Sequence, residues 1–110
     1  EHFQGSFPLW LSPIQVQIIP ITDRNQQYAQ NVLEQLKSAK IRAEVDTRAE
    51  KMQAKIRDAQ LQKIPYMLIV GDKEVENKTL SVRKREEKDL GSMALEQLIN
   101  KIQGEIESKL

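Results

Sequence analysis

One short apolar run between a proline and a glycine most constrains the fold of this chain. The run is Tyr66-Met67-Leu68-Ile69-Val70, with Pro65 before it and Gly71 after it. Its length is typical of a strand, and an unbroken apolar strand is typical of a sheet that is covered on both faces. The run therefore predicts the central strand of a sheet that lies between helices.

Two further strands, each followed by a helix, are predicted before this run. Alternating apolar residues indicate the strands: Ile14, Val16 and Ile18, then Ile41, Ala43 and Val45. Apolar residues three or four positions apart indicate the helices: Tyr28, Ala29, Val32, Leu33 and Leu36, then Met52, Ile56 and Ala59. Thr22 and Asp23 offer a cap for the first helix, and the second helix should stop near Ile64, before Pro65.

After Gly71 the pattern predicts a hairpin. We expect its turn at Glu76-Asn77-Lys78, with Leu80 and Val82 pointing into the core. Because side chains two apart on a strand share a face, Arg83 and Arg85 would project together to the opposite face. Lys84 would share the inward phase of Leu80 and Val82.

A last helix is predicted to open at Gly91-Ser92, with Ser92 as its cap. Its apolar stripe consists of Leu95, Leu98, Ile99, Ile102 and Ile106. The predicted order is βαβαββα in an α/β fold. Parallel strands with right-handed crossovers, joined by a hairpin that inserts one antiparallel strand, predict a mixed five-stranded sheet between helices.

Composition excludes several classes of function. The net charge of +1 gives no global attraction to nucleic acid, so any such site must come from local clustering. The absence of cysteine removes disulfides, thiol nucleophiles and thiolate metal sites, and fits a reducing, cytosolic compartment. No apolar run approaches the ~18 residues of a membrane span, and the N-terminus lacks the regions of a signal peptide. We expect neither a membrane partner nor secretion.

Catalytic motifs are missing from the chain. The only histidine, His2, lies in the N-terminal segment, so a hydrolytic triad is not expected. No glycine falls in a phosphate-binding loop. Asp23, Asp46 and Asp72 each follow a predicted strand, where they would form either an Mg²⁺ or phosphoacceptor site or, the favoured interpretation, caps and turns.

Two groups of basic residues are the better functional signal. Arg48, Lys51 and Lys55 would form one stripe on the second helix, which alone indicates only a solvated face. Arg83, Lys84 and Arg85 supply a second group, and if the two lie near one another they would grip a nucleic-acid backbone. Few aromatic side chains are available for stacking, so hydrogen-bond readout of a few bases is favoured, with Arg as donor and Glu74 as acceptor.

Many segments in order resemble the anticodon-binding domain at the C-terminal end of threonyl-tRNA synthetases. They are residues 7–16, Ile21-Thr22-Asp23, Asp46-Thr47-Arg48, Glu50-Lys51, Lys55-Ile56-Arg57, residues 64–68 and residues 71–93. The resemblance implies a three-layer α/β/α sandwich at residues 13–110, with residues 1–12 as the segment that leads from a catalytic domain.

The same resemblance implies the partners and cofactors. The parent enzyme would be a cytoplasmic, homodimeric class II ligase that attaches threonine to its tRNA. This domain would bind the anticodon stem-loop of threonine tRNA. ATP, zinc and threonine would bind in the separate catalytic domain of the same polypeptide, so this part would carry no catalytic site and no cofactor.

The resemblance also implies roles for individual residues. Glu74 and Arg83 fall at positions that contact the second and third anticodon bases, guanine and uracil, and Lys73 and Arg85 are neighbours that assist. Ala49 stands where a bacterial family member can have a base-contacting Asn. Glu86-Glu87 stands where Arg-Gly can stand, which makes this edge less basic.

Two alternatives remain open from the sequence. One is the equivalent domain of the prolyl or glycyl enzymes, or a free-standing relative, although residues 71–93 favour the threonyl family. The other is a receiver-like signalling domain, which would use Asp23 and Asp46 but needs a further βα unit.

Overall fold

Five strands form one mixed sheet in the computed structural model, which describes residues 8–85 and 88–108, and only the backbone of Lys88. They are β1 (Val16–Pro20), β2 (Ala43–Val45), β3 (Tyr66–Val70), β4 (Leu80–Lys84) and β5 (Lys88–Met93), in the spatial order β2-β1-β3-β4-β5. The first three are mutually parallel, and β4 pairs antiparallel with both β3 and β5. One strand therefore runs against the other four, and β3 is central and wholly buried, as predicted.

Helices cover the sheet on both sides. They are α1 (Gln26–Ser38), α2 (Met52–Leu61), α3 (Asp72–Asn77) and α4 (Leu95–Glu107). Side chains of α1 and α4 pack with Val16, Ile18 and Leu68 in the larger core. Side chains of α2 pack with Ile19 and Met67 in a smaller core on the other face. This confirms the three-layer sandwich.

The predicted hairpin is wrong in its position. Residues 72–77 form the short helix α3, and the hairpin instead joins β4 to β5, so the order is βαβαβαββα. The backbone N–H of Gly71 donates to the Glu74 carboxylate at 2.7 Å, a side-chain cap that favours a helix at this point. Lys78 ends α3 in the left-handed conformation, with φ of 56°.

The start of the last helix also differs from the prediction. Gly91 and Ser92 belong to β5, where Gly91 has φ of 79° at an irregular pairing with β4. Helix α4 begins at Leu95, and the side chain of Gln97 accepts from the N–H of Ala94. Ser92 is therefore not its cap.

Part of the predicted N-terminal segment packs onto the domain. Residues 9–11 form a 3₁₀ turn, and Leu9 lies in the larger core. The guanidinium of Arg42 donates to the carbonyls of Ser12 and Trp10 at 2.9 and 3.0 Å. Residues 1–7, with His2, lie outside the described residues, and a connection to a catalytic domain stays a prediction.

A membrane span would need a longer and more apolar helix than any found within residues 8–85 and 88–108.

Candidate nucleic-acid interface

Arg83 lies on the α2 side of the sheet. Leu80 and Val82 are fully buried on the other side, and Arg83 pairs with Met67 of the central strand, whose side chain belongs to the smaller core. The Nε atom of Arg83 is enclosed and has no hydrogen-bond partner among the described residues. Buried donors are normally paired, so this unpaired Nε–H is available to an acceptor from outside the described part of the domain.

The neighbours of Arg83 follow the predicted alternation. Lys84 lies on the opposite face, with Nζ 5.7 Å from the centre of the Tyr66 ring and 3.8 Å from the Glu105 carboxylate. Arg85 follows the end of β4, and its guanidinium donates to the carbonyl of Lys63 at 3.4 Å. Arg83 and Arg85 therefore share the α2 side, and Lys84 does not.

Sequence reasoning missed Arg57 as a member of this surface. Ile56 and Ala59 bury the face of α2 that meets the sheet, and Arg57 is exposed. Successive helical residues differ by about 100°, so Arg57 and Lys55 lie on opposite flanks of Ile56. Since Lys55 faces the β2 side, Arg57 faces the β4 side. The angular position of Arg57 relative to Ile56 on the helix is the sequence pattern that would have identified Arg57.

Glu74 and Arg83 are not neighbours on one hairpin, contrary to the prediction. Glu74 lies on α3, beyond the carboxyl end of β3, and Lys73 beside it is exposed. Arg83 is opposite Met67, four residues before Gly71, which is about 13 Å along the strand. One oxygen of Glu74 caps Gly71, which fixes the direction in which the carboxylate points.

A polar network fixes α3 to the loop after β1. Arg24 Nε donates to the carboxylate of Asp72 at 2.8 Å, and the amide of Asn25 donates to it at 3.0 Å. Asn25 in turn accepts from the hydroxyl of Thr22. The hydrogen bonds from Arg24, and then that from Asn25, lower the pKa of Asp72 to about 2.

This pKa predicts a component of acid sensitivity. A carboxyl whose pKa is lower in the folded state adds stability above its unfolded pKa and loses it as the pH falls. We therefore expect the stability of the chain to decrease between about pH 4 and pH 2, and Asp72→Asn to remove part of that decrease. Urea unfolding at several pH values measures it. Equal slopes for the wild type and Asp72→Asn would contradict the prediction.

The basic stripe predicted from Arg48, Lys51 and Lys55 does not form. Arg48 precedes α2 and pairs with Asp46 and Asp58 at 2.8 and 2.7 Å. Its hydrogen bond is also the main cause of the lowered pKa of Asp46. Lys55 is only 4% exposed.

The buried ammonium of Lys55 donates to two backbone carbonyls, that of Asp46 at 3.1 Å and that of Pro20 at 3.5 Å. Lys55 thus ties α2 to the ends of β1 and β2. Residues 47–51 before α2 are all exposed, and of the three cations Lys51 alone is both exposed and outside the ion pairs of the described residues, beside the uncharged Ala49. Arg85 contacts the segment after the other end of this ten-residue helix, about 15 Å away, so the two basic groups are not adjacent.

Two of the aspartates that follow strands accept hydrogen bonds from neighbouring groups of the protein. Asp46 accepts from the backbone N–H of Arg48, and Asp72 binds Arg24 and Asn25. Asp23 is exposed. No group of three or more histidine or acidic side chains that could hold a metal ion occurs in the described ranges. The interpretation as a cap or turn is confirmed for Asp46, whereas Asp72 accepts from the side chains of Arg24 and Asn25 instead of a free backbone N–H.

Known proteins are similar to this chain in sequence and in fold. A family model described as "Anticodon binding domain" matches residues 15–105. The threonine–tRNA ligase of Natranaerobius thermophilus is 57% identical over 97% of the chain, and that of Aquifex aeolicus is 54% identical over 99%. The chain spans 17% of the length of each.

A crystal structure of the RNA-binding domain of threonyl-tRNA synthetase from Cryptosporidium parvum has a TM-score of 0.87 and 31% identity, over 94% of this chain and 26% of that one. Prolyl-tRNA synthetase from the same organism has a TM-score of 0.83 at 24% identity, over 94% of this chain and 22% of that one, which is a likeness of fold. The chain belongs to the anticodon-binding domain family.

Proposed function

We propose that this chain is the domain of a threonine–tRNA ligase that reads the anticodon of threonine tRNA. The observation that carries the proposal is the half-buried Arg83 on the α2 side of the sheet, with Nε unpartnered among the described residues. Arg85 lies on the same side and the helical phase of Arg57 turns it toward that side, so unpaired bases would meet hydrogen-bond donors and their phosphates would meet positive charge.

The structure supports separate tasks for Glu74 and Arg83. The two side chains lie about 13 Å apart along β3, so they suit contacts with different nucleotides of one loop. Glu74, held by its cap on Gly71, accepts from a base N–H, and Arg83 donates to a carbonyl or ring nitrogen. Lys73 and Lys51, both exposed, suit phosphate contacts.

The proposal extends to the longer protein. A catalytic domain of the same polypeptide would bind ATP, zinc and threonine and would attach the amino acid, within a cytoplasmic homodimer. This domain would contribute tRNA binding alone and no cofactor. The relatives named threonine–tRNA ligase support the assignment, since the chain matches them at up to 57% identity.

The prolyl or glycyl equivalent is the second candidate. Its support is the fold shared with the prolyl enzyme at 24% identity, against 57% for a threonine–tRNA ligase. A receiver-like domain has less support, because Asp46 is already bound by Arg48.

Titration of the chain with tRNA transcripts separates these candidates. We expect threonine tRNA to bind more tightly than the same transcript altered at the second or third anticodon base, and more tightly than proline or glycine tRNA. Preference for proline or glycine tRNA would favour the second candidate. Equal affinity for all transcripts would contradict anticodon reading by this chain.

The cap on Gly71 allows a direct test of Glu74. Glu74→Gln keeps a side-chain acceptor for the N–H of Gly71 but loses the charge, and Glu74→Ala loses both. If the carboxylate reads a base, both variants should lose discrimination at one anticodon position, about tenfold. If it only caps α3, Glu74→Gln should bind like the wild type. Binding to matched and altered transcripts distinguishes the two outcomes.

A further inference from the structure

A polar cavity lies on the Lys55 flank of α2, opposite to the flank of Arg57. It has a volume of about 320 Å³ and opens between α2 and the edge strand β2. Gln17 of β1 and its register partner Glu44 of β2 line the sheet side, and Asp58 and Gln62 line the helix side. None of the roles described so far uses this cavity.

Gln17 is the observation that points to a ligand. The residue is only 9% exposed, yet its amide has no hydrogen-bond partner among the described residues. Neither amide atom is among the fully enclosed, unpaired atoms, so the amide is accessible, and Gln17 lines the cavity. An accessible side-chain amide presents a donor and an acceptor side by side to a ligand.

Arg48 adds a flat surface at the same cavity. Its Nε and both Nη atoms donate to the carboxylates of Asp46 and Asp58, which fixes the plane of the guanidinium. The side chain is still 49% exposed. Because its edge is occupied, a ligand would meet the face of the guanidinium, and such faces stack on nucleobases.

The charges of the cavity exclude a phosphate and favour an uncharged ring. Glu44, Asp46 and Asp58 supply three carboxylates, against the two cations Arg48 and the buried Lys55. An anion would be repelled there, whereas a neutral ring with donors and acceptors on its edge would not. A phosphate attached to the ring would stay outside the cavity.

We propose that this cavity is a second nucleobase subsite of the domain, with Gln17 as the hydrogen-bonding side chain and Arg48 as the stacking surface. An unpaired base of the bound RNA would stack on Arg48, and Gln17 would pair with its edge. Adenine fits best, because a side-chain amide pairs with adenine through two hydrogen bonds. The biological role of the site rests on the proposed function, but occupancy by a base does not.

Nuclear magnetic resonance on the ¹⁵N-labelled chain tests the subsite. Adenosine monophosphate is titrated in parallel with ribose 5-phosphate, which carries the phosphate without the base. We expect adenosine monophosphate to shift the side-chain amide of Gln17 and the backbone amides of Thr47 and Asp58. Ribose 5-phosphate should leave them unchanged. Gln17→Leu should weaken the response about tenfold, and Gln35→Leu, at an exposed position of α1, should not.

Three outcomes would overturn the subsite. They are equal shifts with ribose 5-phosphate, no shift of Gln17 at millimolar adenosine monophosphate, or an unchanged response in Gln17→Leu. The last variant should still give a dispersed spectrum, which excludes unfolding as the cause of a lost response. If the chain discriminates between anticodons but adenosine monophosphate does not shift the Gln17 amide, the subsite alone is rejected. If the Gln17 amide shifts but the chain does not discriminate between anticodons, the proposed function alone is rejected.

Discussion

Arg83→Ala should weaken binding of threonine tRNA strongly, and the loss should depend on the anticodon. A two-hydrogen-bond contact between arginine and a base discriminates by about 1–3 kcal/mol, or roughly 5- to 150-fold in affinity. The affinity for the matched transcript should fall by a factor in that range. Transcripts altered at the base that Arg83 reads have already lost the contact, so their affinity should change little.

Two variants control for charge and for position. Arg83→Lys keeps the positive charge but not the planar pair of donors, and it should lose most of the discrimination. Lys84→Ala removes a cation next in sequence that lies on the opposite face against Tyr66 and Glu105, so it should leave discrimination intact. If Arg83→Ala weakens matched and altered transcripts by the same factor, Arg83 positions the backbone or the fold and does not read a base.

The parallel strands β1 to β3, the strand β4 and the long helices were predictable because their apolar periodicity is strong. β3 could be recognised from its unbroken apolar run, and α1 from residues three or four apart that now face the core. Helix α3 was not predicted, because six residues carry little periodicity and its cap depends on one contact between Glu74 and Gly71. Strand β5 was not predicted, because residues such as Asp89 and Gly91 have low strand propensity and the strand is held in place by its pairing with β4.

The candidate site was less predictable than the fold. The alternation along β4 placed Arg83 and Lys84 on the correct faces, because period two needs no knowledge of neighbours. Whether a basic side chain is available to bind RNA depends on carboxylates and carbonyls that are distant in sequence. The sequence pattern does not show which of these lie beside it. Arg48 meets Asp58 ten residues later, and Lys55 meets the carbonyl of Pro20 thirty-five residues earlier.

Lys55 and Lys51 should therefore behave in opposite ways when each is changed to alanine. Lys55→Ala removes a 4% exposed side chain and leaves the carbonyls of Asp46 and Pro20 without their donor. Lost packing and unpaired acceptors together should lower the free energy of unfolding by about 3 kcal/mol. Lys51→Ala, at an exposed position, should change stability by less than about 0.5 kcal/mol.

The two variants should differ in the opposite sense in tRNA binding, where Lys51→Ala should have the larger effect and Lys55→Ala the smaller. If Lys51 contacts a phosphate, Lys51→Ala should reduce the slope of log affinity against log salt by about one, equally for all anticodons. Lys55→Ala, measured where it is still folded, should keep the wild-type slope, because a buried ammonium that is bonded to carbonyls releases no counterion on binding. Urea unfolding and salt-dependent titration of both variants check the pair. A reduced salt slope in Lys55→Ala without loss of stability would show that Lys55 leaves its buried position to bind RNA, and the structural role assigned to it here would then be wrong.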